Sequence, residues 1–174
     1  MIAVAAASFL IGLCLIEQWA LLATLVERVY VASAVWTEVV EQGQDRPGAG
    51  QLQQAAWVIR QAVHNRRAVE MLQVFLGARE AETLILAEEV ACPLVFMDDL
   101  KGRKAAQAAG FRTMGVVGVL LVGKQTGRIR TLHPLLAQLQ QQGFMLLESF
   151  LCRQERGKPQ GHSVLDFPLA SLGL

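Results

Sequence analysis

The stretch Pro93-Leu94-Val95-Phe96-Met97-Asp98-Asp99-Leu100-Lys101-Gly102-Arg103-Lys104 decides how this chain is read. Its first half is an unbroken apolar run bounded by a proline, the composition of a strand buried on both faces in a parallel sheet. Its second half begins where open α/β sheets build their sites, at the carboxyl end of a strand. Two acids there, followed within one helical turn by Lys101, Arg103 and Lys104, point to a hard cation and a phosphate-bearing ligand. Helix capping accounts for part of the same pattern, because Asp is a good N-cap and acids suit a first turn. It does not account for the cations, each of which opposes the helix dipole by about 0.3–1 kcal/mol in a first turn.

Outward from this stretch, short apolar runs alternate with helical periodicities. Residues 2–5, 29–31, 57–63, 94–97 and 111–113 read as strands. Helices are expected over 8–16 with Ser8 as the cap, and over 19–25, 34–41, 51–56, 66–76, 79–90, 100–109, 116–124 and 132–142. Pro47 and three glycines make 43–50 a loop, and Gly110 stops the helix before it. Strands alternating with helices give an α/β class with a mainly parallel central sheet. Residues 144–151 fit a strand or a helix equally well. A change to Arg, Gln, Gly, Lys and Pro at 153 separates a body, 1–152, from a tail, 153–174, whose apolar end suits docking on the body or on another subunit.

Composition narrows the function classes. The chain has 174 residues, 53% hydrophobic and 18% charged, with mean hydropathy +0.36. That is apolar enough to imply a thoroughly buried sheet, a self-association surface, or both. Formal net charge is +1, so contact with nucleic acid must come from a local patch rather than a global field. Cys14, Cys92 and Cys152 are odd in number and far apart, with no CxxC. They argue against a disulfide framework or a zinc ribbon and for a reducing, cytoplasmic setting. Cys14 and Cys92 are expected as small core residues. Residues 1–16 are apolar, but no basic segment opens them and Glu17 and Gln18 interrupt short of the roughly 20 residues a spanning helix needs. A first strand running into a buried helix is expected, with no membrane partner. There is no GxGxxG and no GxxxxGK[ST].

Three further acids stand out. Glu38 interrupts an otherwise apolar helical stretch, and Glu80 and Glu82 open the helix expected at 79–90. Singly, each is accounted for by a solvated face or by the helix dipole. Together with Asp98 and Asp99 they are what a cluster converging on one sheet edge would look like. Such a cluster suits Mg²⁺, which takes a few carboxylates together with water and phosphate oxygens. Two such ions about 4 Å apart would activate water against a phosphodiester.

Five segments carry a family resemblance: Ala-Ser-Phe-Leu-Ile (7–11), Val-Tyr-Val-Ala-Ser-Ala-Val-Trp-Thr-Glu-Val (29–39), Gly-Ala-Arg-Glu-Ala-Glu-Thr-Leu-Ile-Leu-Ala (77–87), Leu-Val-Phe-Met-Asp-Asp (94–99), and the run 115–121 followed by Lys124 and Gly127. In this order the chain resembles, over 2–151, the PIN-domain proteins, the superfamily of the VapC-type toxin ribonucleases. More closely, it resembles a bacterial and archaeal branch of predicted nucleic-acid-binding PIN-like proteins. The resemblance implies a PIN-like three-layer α/β/α sandwich and Mg²⁺- or Mn²⁺-dependent cleavage of single-stranded RNA. It further implies a homodimer and a small cognate antitoxin. It makes Glu38, Glu82 and Asp98 the metal ligands, with Glu80 and Asp99 beside them and Asp99 counted with the catalytic set. Arg79, Lys101, Arg103 and Lys104 are then the candidate phosphate contacts.

The chain departs from the family at one central place. The family has an Asp at the end of its first strand, two residues before the Ser; here that position is Ala6. No acid nearby replaces it, since Glu17 lies a helix away. Phe9 stands where Pro is common, and Val116 where a hydroxyl residue is frequent. The expected metal site is therefore incomplete. Two functions follow: a PIN-like ribonuclease impaired by Ala6, or an inactive PIN-fold pseudoenzyme acting through dimerisation, partner binding or nucleic-acid binding.

Overall fold

The apolar runs become five parallel strands: β1 (Ile2–Ala5), β2 (Arg28–Ala32), β3 (Val58–Gln61), β4 (Leu94–Phe96) and β5 (Arg112–Met114). The computed structural model describes residues 1–43 and 46–144. The sheet order is β3-β2-β1-β4-β5, and every pairing is parallel. β1 lies at the centre, where Val4 is in register with Tyr30 of β2 and Val95 of β4. Its Ala3, Val4 and Ala5 are fully buried, as are Leu94, Val95 and Phe96 of β4, which explains why these runs carry no polar alternation. The edge strand β3 is only partly buried and carries Arg60.

The helices are α1 (Ala7–Leu15), α2 (Trp19–Leu25), α3 (Ser33–Trp36, prolonged by a π-helical turn Thr37–Glu41), α4 (Ala49–Gln54), α5 (Arg66–Gln73), α6 (Ala78–Glu89), α7 (Leu100–Ala108), α8 (Val116–Gln125) and α9 (His133–Gln141). α1, α2 and α8 pack together on one side of the sheet, and α5, α6 and α7 on the other. This is the three-layer α/β/α sandwich. The chain moves from β1 out to β3 and then crosses back to lay β4 on the other flank of β1. Crossovers in two directions leave a switch point between β1 and β4.

Several boundaries move for physical reasons. α1 begins at Ala7, so its cap position is Ala6 and Ser8 lies inside the first turn; no side chain caps this helix. The helix expected at 34–41 divides into an α turn and a π turn, and the loop expected at 43–50 ends early because α4 starts at Ala49. β5 sits one residue later than 111–113, and β3 is shorter than 57–63. The apolar stretch 1–16 is shared between β1 and α1, and Glu17 then turns the chain at φ 55°. Among the described residues no helix is long and apolar enough to cross a membrane. The ambiguous stretch, from 145 onward, and the tail 153–174 lie outside the described residues.

Cys14 and Cys92 are core residues as expected, both buried and free, and burial pushes the Cys14 thiol up to about 12. Phe9 is fully buried and supplies core volume. Its ring stacks on Phe96 with centroids 4.5 Å apart, joining α1 to β4 directly beside Ala6.

Candidate functional site

A parallel sheet followed by helices gathers helix N-termini at one edge, each bringing unpaired N–H groups and about half a positive charge. Here α1 follows β1 through Ala6, α3 follows β2 directly, α7 follows β4 through Asp99, and α8 follows β5 through Gly115. Four of the acids singled out in the sequence, Asp98, Asp99, Glu82 and Glu38, each accept at least one hydrogen bond from the protein.

Asp99 is the N-cap of α7, its Oδ2 accepting the Gly102 N–H at 2.6 Å. Asp98 turns to a different helix: its Oδ1 and Oδ2 accept the Val116 N–H, the first of α8, at 3.0 and 3.3 Å. Gly115 permits that approach, since a Cβ there would lie 2.5 Å from Asp98 Oδ1. Burial raises the Asp98 carboxyl to about 6, against the Val116 N–H and the Arg103 charge, which both lower it.

Glu82 is almost fully buried on α6. Its Oε2 accepts the Ala34 N–H at 3.0 Å, and its Oε1 accepts from Arg66 Nη1 at 2.6 Å. One carboxylate thus ties the N-termini of α3 and α5 to α6. Glu38, on the π turn, accepts from Arg79 Nη1 through Oε1, while its Oε2 is buried with no partner. Burial raises the Glu38 carboxyl most; Arg79 and Arg46 oppose that rise and Glu80 adds to it. An open cleft of about 480 Å³ runs past Ser33, Thr37, Glu38, Gln42 and Arg79.

The acids therefore fall into two groups. Glu38 and Glu82 lie with the helices beside β2, and Asp98 lies at the end of β4. Between those strands stands β1, followed at once by Ala6, whose N–H donates to the Phe96 carbonyl at 2.9 Å. A methyl group occupies the position that would link the two groups. Among the described residues, no cluster of three or more His, Cys, Asp or Glu side chains could hold a metal ion. A Mg²⁺ or Mn²⁺ site of Asp98, Glu82 and Glu38 does not fit these side chains as placed. Glu82 has both oxygens engaged, Asp98 is turned to α8, and the orphan Oε2 of Glu38 is one oxygen beside a guanidinium.

The candidate phosphate contacts are also distributed. Lys101 and Lys104 are exposed on α7, Arg103 is half-buried near Asp98, and Arg79 is engaged by Glu38. Sequence reasoning missed Arg66. Its only signal was a cation in the first turn of a helix, and its partner lies 16 residues away on the next helix.

A family model described as a PIN domain matches residues 2–154. No curated protein and no solved structure matches the chain.

Two measurements check the roles of these acids. If Glu82 is a fastener, Glu82→Ala strands the Ala34 N–H and loosens three helix ends. Urea unfolding is then expected to show a loss of about 1–3 kcal/mol. An idle ligand in a repelling acid cluster would instead give stabilisation on removal. For Asp98 the folded pKa lies above the unfolded value of 3.8. Its ionisation costs stability, so the contribution is full below about pH 4 and is lost as pH rises through about 6. Asp98→Asn cannot ionise. The stability of the native chain relative to this variant is expected to fall by about 2–3 kcal/mol from pH 4 to pH 7. A flat difference would refute the assignment.

Proposed function

Because the chain belongs to the PIN-domain family, we propose that it is a nucleic-acid-binding protein of the VapC-like ribonuclease type whose hydrolysis of single-stranded RNA is impaired by Ala6. The family supplies a nuclease-type fold, and PIN domains generally use divalent metals. The observation that carries the proposal is the methyl group at the end of the central strand, with Glu38 and Glu82 on one side and Asp98 on the other.

In this proposal RNA lies along the carboxyl edge of the sheet. The exposed Lys101 and Lys104, with Arg103 and Arg79, meet its backbone phosphates. Glu38, Glu82, Asp98 and Asp99 are the residual acids of the site, of which Asp99 keeps a capping duty. The proposal extends to a cytoplasmic toxin with a small antitoxin, and to a homodimer. Support for self-association is local: Met71, Val74 and Phe75 are each about three-quarters exposed at i, i+3 and i+4 spacing.

A second proposal, a fully inactive PIN-fold pseudoenzyme, is favoured by the arginines that occupy Glu82 and Glu38. Calorimetric titration with Mn²⁺ and a cleavage assay on single-stranded RNA separate the two, comparing the native chain with Ala6→Asp. Weak native cleavage that Asp98→Asn abolishes supports the impaired ribonuclease. No native metal binding or cleavage, with both gained in Ala6→Asp, supports the pseudoenzyme. Strong metal binding and rapid cleavage by the native chain would remove the role given to Ala6. Light scattering on the same sample gives the mass, and a monomer at micromolar concentration would remove the homodimer.

A further inference from the structure

The arginines that hold the acids account for more than the lack of a metal cluster. Arg66 and Arg79 each give an Nη1–H to a carboxylate that is more enclosed than the arginine itself. Side-chain exposure is 60% for Arg66 against 7% for Glu82, and 48% for Arg79 against 26% for Glu38. In both pairs the carboxylate faces inward and the guanidinium faces solvent. A guanidinium carries five donors in a rigid fork, so one anchored Nη1 leaves most of the fork available to a ligand.

We propose that Glu38 and Glu82 serve as anchors that position Arg79 and Arg66, and that these two arginines bind the backbone phosphates of single-stranded RNA without a divalent ion. This rests on the nucleic-acid reading above and specifies how that site engages its ligand. Charge supports it. Glu82 is paired with Arg66, and Glu38 is paired with Arg79 and also feels the charge of Arg46. A site of acids alone would repel phosphate unless a metal came first; here Arg66 and Arg79 offset the charges of Glu82 and Glu38. Anchoring supports it as well, because a guanidinium already held in one geometry loses less rotamer freedom on binding. Arg79 also lines the open cleft, where a strand can reach it. Glu38 and Glu82 are then positioning residues, and neither touches the ligand.

The test is fluorescence anisotropy of a labelled oligouridylate with the full chain, in EDTA and in Mg²⁺, over a range of salt. Native affinity is expected to be the same in both buffers. Arg79→Ala and Arg66→Ala are each expected to weaken binding roughly tenfold and to lower the salt slope by about 0.7. Arg79→Lys is expected to recover the slope but not the affinity, since an ammonium lacks the fork. Glu38→Ala gives the sharpest reading. It deletes the acceptor of the Arg79 hydrogen bond together with a negative charge, so simple electrostatics predicts tighter binding, whereas loss of the anchor predicts weaker binding in EDTA. Thermal melts confirm that each variant is folded. Tighter or unchanged binding by Glu38→Ala overturns the proposal. Binding only in Mg²⁺, or full affinity in both arginine variants, also overturns it and leaves the nucleic-acid reading standing. No binding in either buffer overturns both.

Discussion

An all-parallel sheet imposes one constraint from which the rest of this molecule follows. Each strand leads into a helix at the same edge, so that edge collects helix N-termini, unpaired N–H groups and partial positive charge. Acids are drawn there whether or not a ligand is present. Asp99 caps its own helix, Asp98 caps the helix after the next strand, and Glu82 caps α3 from across the fold. The attraction that makes such an edge suitable for a carboxylate centre also allows the carboxylates to be consumed by the fold itself.

Ala6 stands where the two groups of acids could be joined. It follows the central strand, so a carboxylate there would stand between the group beside β2 and Asp98 beyond β4. With a methyl group in that place, each acid meets a donor of the protein. Glu82 and Glu38 take arginines, while Asp98 stays with the α8 backbone at a pKa of about 6. Phe9 stacks on Phe96 beside the same corner, which fills the region with core rather than with polar groups.

Much of the fold was legible because buried strands and amphipathic helices leave different periods in the chain. The boundaries of β1 and α2 fall where the residues place them, and the other strands shift by a residue or a few. The misses share a cause. Ser8 has the chemistry of a cap, yet the strand runs until Ala6 takes that position, because pairing of Val4 and Ala5 with β4 sets where β1 ends. The π turn at 37–41 departs from the 3.6-residue period from which a single helix was read. At the site, the acids Glu38, Glu82, Asp98 and Asp99 stood out by residue type and position, while the missing Asp at position 6 came from the family resemblance alone. Their partners were not, since Glu82 meets Ala34 at 48 residues' separation and Glu38 meets Arg79 at 41.

By itself the sequence determined the α/β class, the two acids after β4, the further acids on α3 and α6, and the lack of a carboxylate at position 6. These are properties of residue type and local period, which need no knowledge of what lies across the sheet. Only the tertiary structure decided that Asp98 serves α8, that Glu82 fastens three helices, and that Arg66 and Arg79 stand against the acids. The physical reason is the crossover from β3 back to β4. It brings helix starts distant in the chain to one edge, and proximity there sets which charge each carboxylate meets.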